Sequence, residues 1–531
     1  MAFLRLWLAV VTVLVTSARG QDLAGLAPPL FPLQQDADSC DLFPMAPCGD
    51  FHLEEATIDD MQTAMQNGTV TSVQLVSCNL LRMLQVDEYI NSILQFNPDA
   101  LAIAAAMDAE RKAGKVPGPL HGIPFTVKDN IATKDSMETT AGSWALVSSI
   151  VPRDVFVVSR LRAAGAVLFG KATLSEWADM RSNNYSEGYS GRGGQARNPY
   201  NLTLNPGGSS SGSAIGVAAN AIAFSLGTET DGSVINPAER NAIVGFKTTV
   251  GLTSRAGVIP ESEHQDTVGT FGRTVREAVY TLDAIYGGDL LDNYTLAQVG
   301  KTPAGGFWVY ADDEQRHVLG ALLCLLSSAG ATNVNGTEIL NYETLVSPDG
   351  WNWDYGSAWG YANESESLED IMQYNYDKDG SEGGNPWPLG IPAFYSGQDG
   401  FLGSIETKGI KDETYCQALN FSQTSTRVGI DTALTYNGKR LSGLLVPPDV
   451  GQTYQIAAQA GYPMITLPAG VYSSTGMPFG LAIMQTAWGD TELVKWASAI
   501  EDLQLSSGIP YKRTLPKWYG YLQRNIPVLN L

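Results

Sequence analysis

Hydrophobic and polar residues recur along the chain in two periods, one typical of helices and the other of strands. Helical periodicity begins at Thr57, where Thr57 or Asp59 is a suitable cap, and continues with breaks to about Gly114. The apolar face of this region is predicted to contain Val73, Leu75, Val76, Leu80 and Leu81. The alternating run Gly122–Asp129 (GIPFTVKD) predicts a short strand that ends at a polar loop.

Further helices and strands follow in alternation. Asp154–Ala164 predicts a helix with Gly165 as its C-terminal cap, and the next residues, AVLFG, predict a strand. Beyond Gly451, the runs GYPMITLPAGV and MPFGLAIMQTAWGD predict two strands, and Thr491–Leu503 predicts a helix. The chain shows neither an internal repeat nor a clear linker. The pattern therefore predicts one domain of the α/β class.

The segment from about Asn333 to Lys439 differs in composition, because it is rich in Trp, Tyr, Gly, Asp and Glu. Such a composition predicts loops or short helices that cover a core. Loops lined by aromatic residues often shape a binding pocket. A solvated insertion with no role in binding fits the same composition, and the sequence does not separate the two.

The first twenty residues have the layout of a secretory signal peptide. Arg5 precedes an apolar run from Leu6 to Val15, and small residues lead to a cleavage site before Gln21. The apolar run is well short of the ~20 residues that span a bilayer. We expect residues 1–20 to be removed, residues 21–50 to form an N-terminal extension, and residues 51–531 to form the folded domain.

Export is also supported by seven Asn-x-Ser/Thr sequons, each a glycosylation acceptor if exposed. They are Asn67, Asn184, Asn201, Asn293, Asn335, Asn363 and Asn420. Of the five cysteines, Cys40 and Cys48 lie close together and are predicted to form a disulfide, whereas Cys324 is predicted to be a buried thiol. The pattern leaves the states of Cys78 and Cys416 open. The expected location is therefore extracellular.

The charge of the chain excludes some partners. A formal net charge of −22 over 531 residues argues against nucleic acid and against an anionic membrane surface. No phosphate-binding G-x-x-x-x-G-K-[ST] motif occurs, and no histidine or cysteine cluster has metal-ligand spacing. We therefore expect neither a metal nor a cofactor.

Two glycine-rich loops carry the candidate chemistry. Pro206–Ser213 is followed by small apolar residues and then by a Gly/Thr loop that ends at Ser233. Such loops leave backbone N–H groups free and can bring two hydroxyls into one cleft. The run Gly208–Gly212 matches the G-x-S-x-G nucleophile elbow, but a clean strand and an evident histidine base are lacking, so a chance match is favoured. A lysine of lowered pKa could replace the histidine, and Lys128 ends an apolar strand. From periodicity alone, a surface lysine at the end of a strand is the favoured interpretation.

The same residues resemble the motifs of the amidase signature family. The chain contains GGSSSGS at Gly207–Ser213, GTETDGS at Gly227–Ser233, VGFK at Val244–Lys247, and the lysine-bearing strand HGIPFTVKDNIAT. Nearly the whole mature chain follows the family's order. Within the family it is most similar to the peptide-amidase-like subgroup, through GTETDGS, TVGLTSRAGVIP, GRGGQARNPY and HQDT.

The resemblance implies a single α/β/α domain built around a large mixed β-sheet. It implies that Ser233 is the nucleophile, that Ser209 is a bridging serine held by a cis Gly208–Ser209 peptide, and that Lys128 is the base. It places the oxyanion hole and substrate contacts at Thr230, Asp231, Gly232, Ser233 and the Arg181–Asn184 segment, including Asn183. The implied function is that of a secreted serine amidase, which cleaves C-terminal peptide amides or small neutral amides without a cofactor.

The chain departs from the family pattern near the second loop. Val234, Ile235 and Asn236 stand where some relatives have an arginine, so a clamp on an anionic substrate is not expected. Glu239, Ala242 and Thr248 also differ from the usual residues. One alternative is a catalytically silent binding protein of the same fold. Another is the amidase component that supplies ammonia for tRNA-dependent amide formation, against which the signal peptide and the acidic charge count. The oligomeric state stays open.

Overall fold

The computed structural model describes residues 43–182, 186–298, 325–332, 334, 339, 368–383, 397–449, 452–506 and 513–518. Their strands are β1 Ile93–Phe96, β2 Pro124–Lys128, β3 Val167–Ala172, β4 Tyr189–Ser190, β5 Gly194–Gln195, β6 Phe224–Glu229, β7 Val244–Lys247, β8 Thr267–Gly272, β9 Thr435–Tyr436, β10 Lys439–Arg440, β11 Leu444–Val446, β12 Met464–Val471 and β13 Pro478–Met484. Their α-helices are α1 Ile58–Gln66, α2 Ser72–Ile90, α3 Ala100–Lys112, α4 Phe156–Ala163, α5 Ser211–Ala218, α6 Ile235–Arg240, α7 Val275–Ile285, α8 Leu368–Asp377, α9 Asp399–Glu406, α10 Glu413–Ala433, α11 Thr453–Ala460 and α12 Asp490–Ser506.

Nine of these strands form one sheet in the order β1-β3-β2-β6-β8-β7-β12-β13-β11. Strand β2 lies in the middle of a parallel trio with β3 and β6, and the other pairings are antiparallel. The large mixed sheet predicted from the family resemblance is therefore confirmed.

Both faces of the sheet are covered. Every residue of β2, β3 and β6 is buried, as expected for parallel strands that have helices on both sides. Along β3, Val167 and Phe169 pack into one apolar cluster, whereas Leu168 packs into the other. Because neighbouring strand residues point to opposite faces, the two clusters are the two sides of an α/β/α sandwich.

The helical region predicted from Thr57 to about Gly114 is confirmed only in part. Thr57, one of the two predicted cap residues, caps α1 through a capping box with Asp60. Leu75 and Val76 are buried, but Leu81 is 67% exposed, so its assignment to the apolar face was wrong. Strand β1 was not predicted. Its four residues at the sheet edge are too few to show a period.

The central and C-terminal elements follow the prediction closely. Strands β2, β12 and β13 and helices α4 and α12 occur within a few residues of their expected positions. Gly165 follows Ala164, the C-terminal cap of α4, with φ of +78°, the left-handed conformation that a helix-ending glycine adopts. Within the described residues no helix is long and apolar enough to cross a membrane. Residues 1–20 lie outside the described range.

Two expectations are corrected. The middle segment contains α10, a helix of 21 residues rather than only loops and short helices. Asp412 caps α10 by accepting from the Tyr415 N–H, a signal hidden in a polar, aromatic-rich composition. Cys48 is bonded to Cys78 on α2, so the predicted Cys40–Cys48 disulfide is wrong. The prediction relied on proximity in sequence, whereas the partner of Cys48 lies thirty residues away along the chain. Cys416 is free and exposed, whereas Cys40 and Cys324 lie outside the described residues.

Candidate active site

Lys128 is the last residue of β2 and is fully buried. Its Nζ donates to Ser209 Oγ at 2.8 Å and to the Thr228 carbonyl at 3.2 Å. Burial disfavours the charged ammonium and lowers the pKa of Lys128 to about 8, although nearby carboxyl groups, Glu261 first and then Asp179, act in the opposite direction. A lysine of this kind is neutral in a useful fraction of molecules near neutral pH.

Ser209 lies in the first Gly/Ser loop, immediately before α5. Its Oγ donates to Ser233 Oγ at 2.9 Å, so one line of contacts joins Lys128 Nζ, Ser209 Oγ and Ser233 Oγ. The Gly208–Ser209 peptide is cis, as the resemblance implied. The Ser209 carbonyl accepts from the N–H of Ser175, which fixes this loop against the segment after β3.

Gly208 is required by the side chain that lies over it. A Cβ at this position would overlap Glu187 Oε2 and would be 2.6 Å from Ser175 Oγ. Ser175 Oγ in turn donates to Glu187 Oε2 at 2.9 Å. The Glu187 carboxyl group therefore covers the backbone that presents Ser209.

The second loop is held by Glu229, the last residue of β6. Glu229 Oε2 accepts from the N–H groups of Val234 and Ile235 at 2.7 and 2.9 Å, at the start of α6. Gly232 has φ of +77°, and a Cβ there would be 2.7 Å from the Tyr454 ring. Glycine fits both requirements, so a side chain at position 232 would disturb the loop that precedes Ser233.

The loop leaves backbone donors beside Ser233. Neither the N–H of Asp231 nor that of Ser233 donates to an acceptor in the described part of the chain. The Gly232 N–H, in contrast, interacts with the Glu229 carboxylate. Free N–H groups next to a nucleophilic oxygen can stabilise a developing oxyanion.

A buried acid pair lies behind this loop and was not anticipated from the sequence. Thr230 Oγ1 is 2.7 Å from Glu261 Oε2 and 2.6 Å from Asp266 Oδ1. Asp266 also accepts from the N–H groups of Glu261 and Ser262. Burial and the charge of Asp266 raise the pKa of Glu261 well above its usual range. A single hydroxyl proton serves only one of the two carboxyls, so both contacts are hydrogen bonds when one of the carboxyls is protonated.

A cavity of about 210 Å³ opens beside the two serines. Gly208 and Gly232, the neighbours of Ser209 and Ser233, form part of its wall, and Tyr454 forms another part. The remaining wall is strongly polar and rich in carboxyl groups. A small molecule in this cavity would contact the backbone that precedes each of the two serines.

Comparison with known proteins gives the family. An amidase family profile matches residues 74–305. A Schizosaccharomyces pombe protein described as a candidate amidase is 52% identical, over 93% of this chain and 92% of its own length. The chain belongs to the amidase signature family. It is accordingly an amide-hydrolysing enzyme.

Solved structures agree with this amidase assignment. The native peptide amidase from Stenotrophomonas maltophilia superposes with a TM-score of 0.75 and 35% identity, over 84% of this chain and 96% of the other. A glutamyl-tRNA(Gln) amidotransferase component from Exiguobacterium sibiricum is 30% identical over 85% of this chain and 97% of its own length. The amidase is thus less similar to that amidotransferase than to the S. pombe protein.

Other residues singled out in the sequence have different positions. Arg181 is buried and ion-paired with Glu176 at 2.9 Å, so it is not part of the cavity wall. Asn183 lies outside the described residues, as does much of the aromatic middle segment. Tyr454, the aromatic wall of the cavity, comes from α11, beyond that segment. The sequence around Tyr454 contains no distinctive motif, so the sequence analysis did not identify this residue as part of the site.

Proposed function

We propose that this amidase is a secreted serine hydrolase that cleaves carboxamide C–N bonds through Lys128, Ser209 and Ser233. The continuous contact from the Lys128 amine through Ser209 Oγ to Ser233 Oγ, beside an open cavity, carries the proposal. We propose C-terminal peptide amides or small neutral amides as substrates. The similarity to a solved peptide amidase supports the first of these classes.

The first chemical step is the attack by Ser233. Ser233 Oγ bonds to the carbonyl carbon, its proton passes to Ser209 Oγ, and the Ser209 proton passes to neutral Lys128 Nζ. Hydroxyl groups rotate and can donate or accept, so the contacts seen here can carry protons in this direction. The lowered pKa of Lys128 supplies the neutral amine that the step needs.

The negative charge that develops on the carbonyl oxygen needs donors. The N–H groups of Asp231 and Ser233 lie at the nucleophile without another acceptor in the described residues, and we assign this role to them. Each such donor is worth ~3 kcal/mol in related sites. The intermediate then collapses as the C–N bond breaks. The leaving nitrogen takes a proton from Ser209, which is restored by Lys128.

Water completes the cycle. It attacks the Ser233 ester while its proton passes through Ser209 to Lys128, and the ester C–O bond breaks as Ser233 Oγ regains a proton. The products are a carboxylic acid and ammonia or a small amine. The same acyl-enzyme would form from an ester, so ester cleavage is expected as a side activity.

Secretion is part of the proposal. It rests on the N-terminal apolar run and the sequons, since residues 1–20 lie outside the described structure. The Cys48–Cys78 disulfide fits an oxidising compartment. Cleavage before Gln21, found by sequencing the N-terminus of the exported protein, would be the expected result.

The test is ammonia release from a panel of amides, including C-terminally amidated peptides, by the wild type and by Ser233→Ala. We expect release by the wild type and its loss in the variant, because the nucleophile is missing. Ser159→Ala is the control, since that exposed serine on α4 bonds only to a backbone carbonyl. Release that persists in Ser233→Ala would overturn the mechanism. No release by well-folded wild type would favour a silent binding protein.

A further inference from the structure

We infer that the cavity selects amides that carry a guanidinium or ammonium group near the scissile bond. This inference rests on the proposed function and names its substrate class. Its basis is the set of carboxyl groups that the fold gathers around the space beside Ser209 and Ser233. The wall contains Asp179, Glu187, Asp231 and Asp449, together with one basic residue, Arg240.

The one cation of the wall is already neutralised. Arg240 Nη2 forms an ion pair with Asp449 Oδ2 at 2.9 Å. The second oxygen of Asp449 accepts from Asn236 Nδ2 at 3.1 Å. Arg240 and Asp449 therefore largely cancel, although Arg240 also acts on Glu187, and the cavity keeps the carboxyl groups of Asp179, Glu187 and Asp231.

Those three carboxyl groups have few hydrogen-bond donors. Glu187 Oε2 accepts from Ser175 Oγ, and the Asp179 and Glu187 carboxyls hydrogen-bond to each other. Asp231 Oδ1 is shielded from water and has no partner in the described part of the chain. A buried acceptor without a donor is unfavourable by ~1–3 kcal/mol. A ligand that brings several N–H donors and a positive charge would satisfy the wall, whereas a carboxylate would be repelled.

The position of Asp231 connects this wall to the reaction. Asp231 precedes Gly232 and Ser233, and its own N–H is one of the proposed oxyanion donors. A cation held by the Asp231 side chain would therefore be bound by the same loop that carries the nucleophile. Recognition at this point would act on the reacting part of the substrate, not on a remote part.

The preference should depend on pH. Burial and the charge of Glu229 raise the pKa of Asp231 to about 8, while Lys247 lowers it. The groups that face it across the cavity are Asp179, Glu187, Arg240, Asp449 and Tyr454. A carboxyl with a raised pKa is neutral below that pKa and charged above it. The preference for a cation should thus increase as the pH rises through about 8.

A matched substrate pair tests the inference. N-acetyl-arginine amide and N-acetyl-citrulline amide have nearly the same shape, but only the first carries a charge, which it keeps throughout this pH range. We expect kcat/KM to be about tenfold higher for the arginine amide, the size of one hydrogen bond to a charged group. The ratio should be larger at pH 9 than at pH 6. N-acetyl-glutamate α-amide should be a poorer substrate than N-acetyl-glutamine α-amide.

Asp231→Asn removes the charge and keeps the size of the side chain. The arginine-to-citrulline ratio should fall severalfold towards one in this variant, whatever happens to the absolute rate. Asp283→Asn is the control, because it makes the same change of net charge at an exposed position of α7. That variant should keep the wild-type ratio.

The outcomes separate the two proposals. Equal kcat/KM for the arginine and citrulline amides, or an unchanged ratio in Asp231→Asn, would overturn the cation preference and leave the amidase chemistry intact. Hydrolysis of neither amide by folded wild type, together with no release from the wider panel, would overturn both. A higher rate for the glutamate amide would show that Arg240, rather than the carboxyls, decides specificity.

Discussion

The most direct consequence of the site is the pH dependence of kcat/KM. If Lys128 must be neutral to accept the proton, activity follows the neutral fraction of that amine. With a pKa of about 8, roughly one molecule in ten has the neutral amine at pH 7, and about one in a hundred at pH 6. We expect kcat/KM for an uncharged amide to rise about tenfold from pH 6 to pH 7 and to level off above about pH 8.

The magnitude comes from burial. Lys128 is completely inaccessible to water, so its ammonium form loses solvation, and the pKa falls from 10.5 to about 8. This change corresponds to roughly 3 kcal/mol. At the ordinary pKa, fewer than about one molecule in a thousand would have a neutral amine at pH 7. Burial thus supplies more than about a hundredfold of the expected activity at that pH.

The assay measures kcat/KM from pH 5 to pH 10 with an acetylated, uncharged amide, so that the substrate does not titrate. Circular dichroism at each pH excludes unfolding as the cause of a loss. Lys128→Met keeps the length of the side chain but cannot accept a proton, and it should lower kcat by about 10³-fold or more. A flat profile between pH 6 and pH 9, or a break below pH 6, would refute the reasoning and indicate a carboxylate base.

Three further predictions concern the architecture. Replacing Cys48 and Cys78 together by serine should lower the free energy of unfolding by about 3 kcal/mol, because the disulfide closes a loop of about thirty residues. Urea denaturation of the wild type and the variant measures this loss of stability. Gly208→Ala should lower activity, because its Cβ would force the Glu187 and Ser175 side chains away from the loop that presents Ser209. Gly403→Ala on α9, where nothing lies within 4 Å, should stay active and slightly raise stability. Thr230→Val should lower kcat more than it raises KM, because it leaves the buried acid pair without its hydroxyl; wild-type kinetics in this variant would contradict that role.

Local signals predicted the centre of this molecule well. The two glycine-rich loops and the strand that ends at Lys128 are contiguous runs, and each run fixes its own conformation. The prediction that these three segments form one site, however, came from the family resemblance. Periodicity alone allowed Lys128 to be a surface residue, whereas the parallel pairing of β2 with both β3 and β6 buries it completely.

Features that depend on distant contacts were not predictable from the sequence. The partner of Cys48 lies on α2, and β1 becomes a strand only because it pairs with β3. Glu261 and Asp266 looked like ordinary members of an acidic chain. Their importance follows from a shared contact with Thr230, thirty-one and thirty-six residues away along the chain. Composition contains no information about which acidic residues contact Thr230 in the folded protein.

The acid pair and the lysine base are best understood together. Full charges on Glu261 and Asp179 would hold Lys128 in its ammonium form and stop it from accepting a proton. Burial instead raises the pKa of both carboxyls, and the double contact of Thr230 with Glu261 and Asp266 is satisfied when that pair holds a proton. Carboxyls with a raised pKa ionise less readily, and they therefore favour the ammonium form of Lys128 less strongly. The fold thus places acids beside a basic catalyst without neutralising its function, because burial raises the pKa of those acids and weakens their hold on the ammonium form.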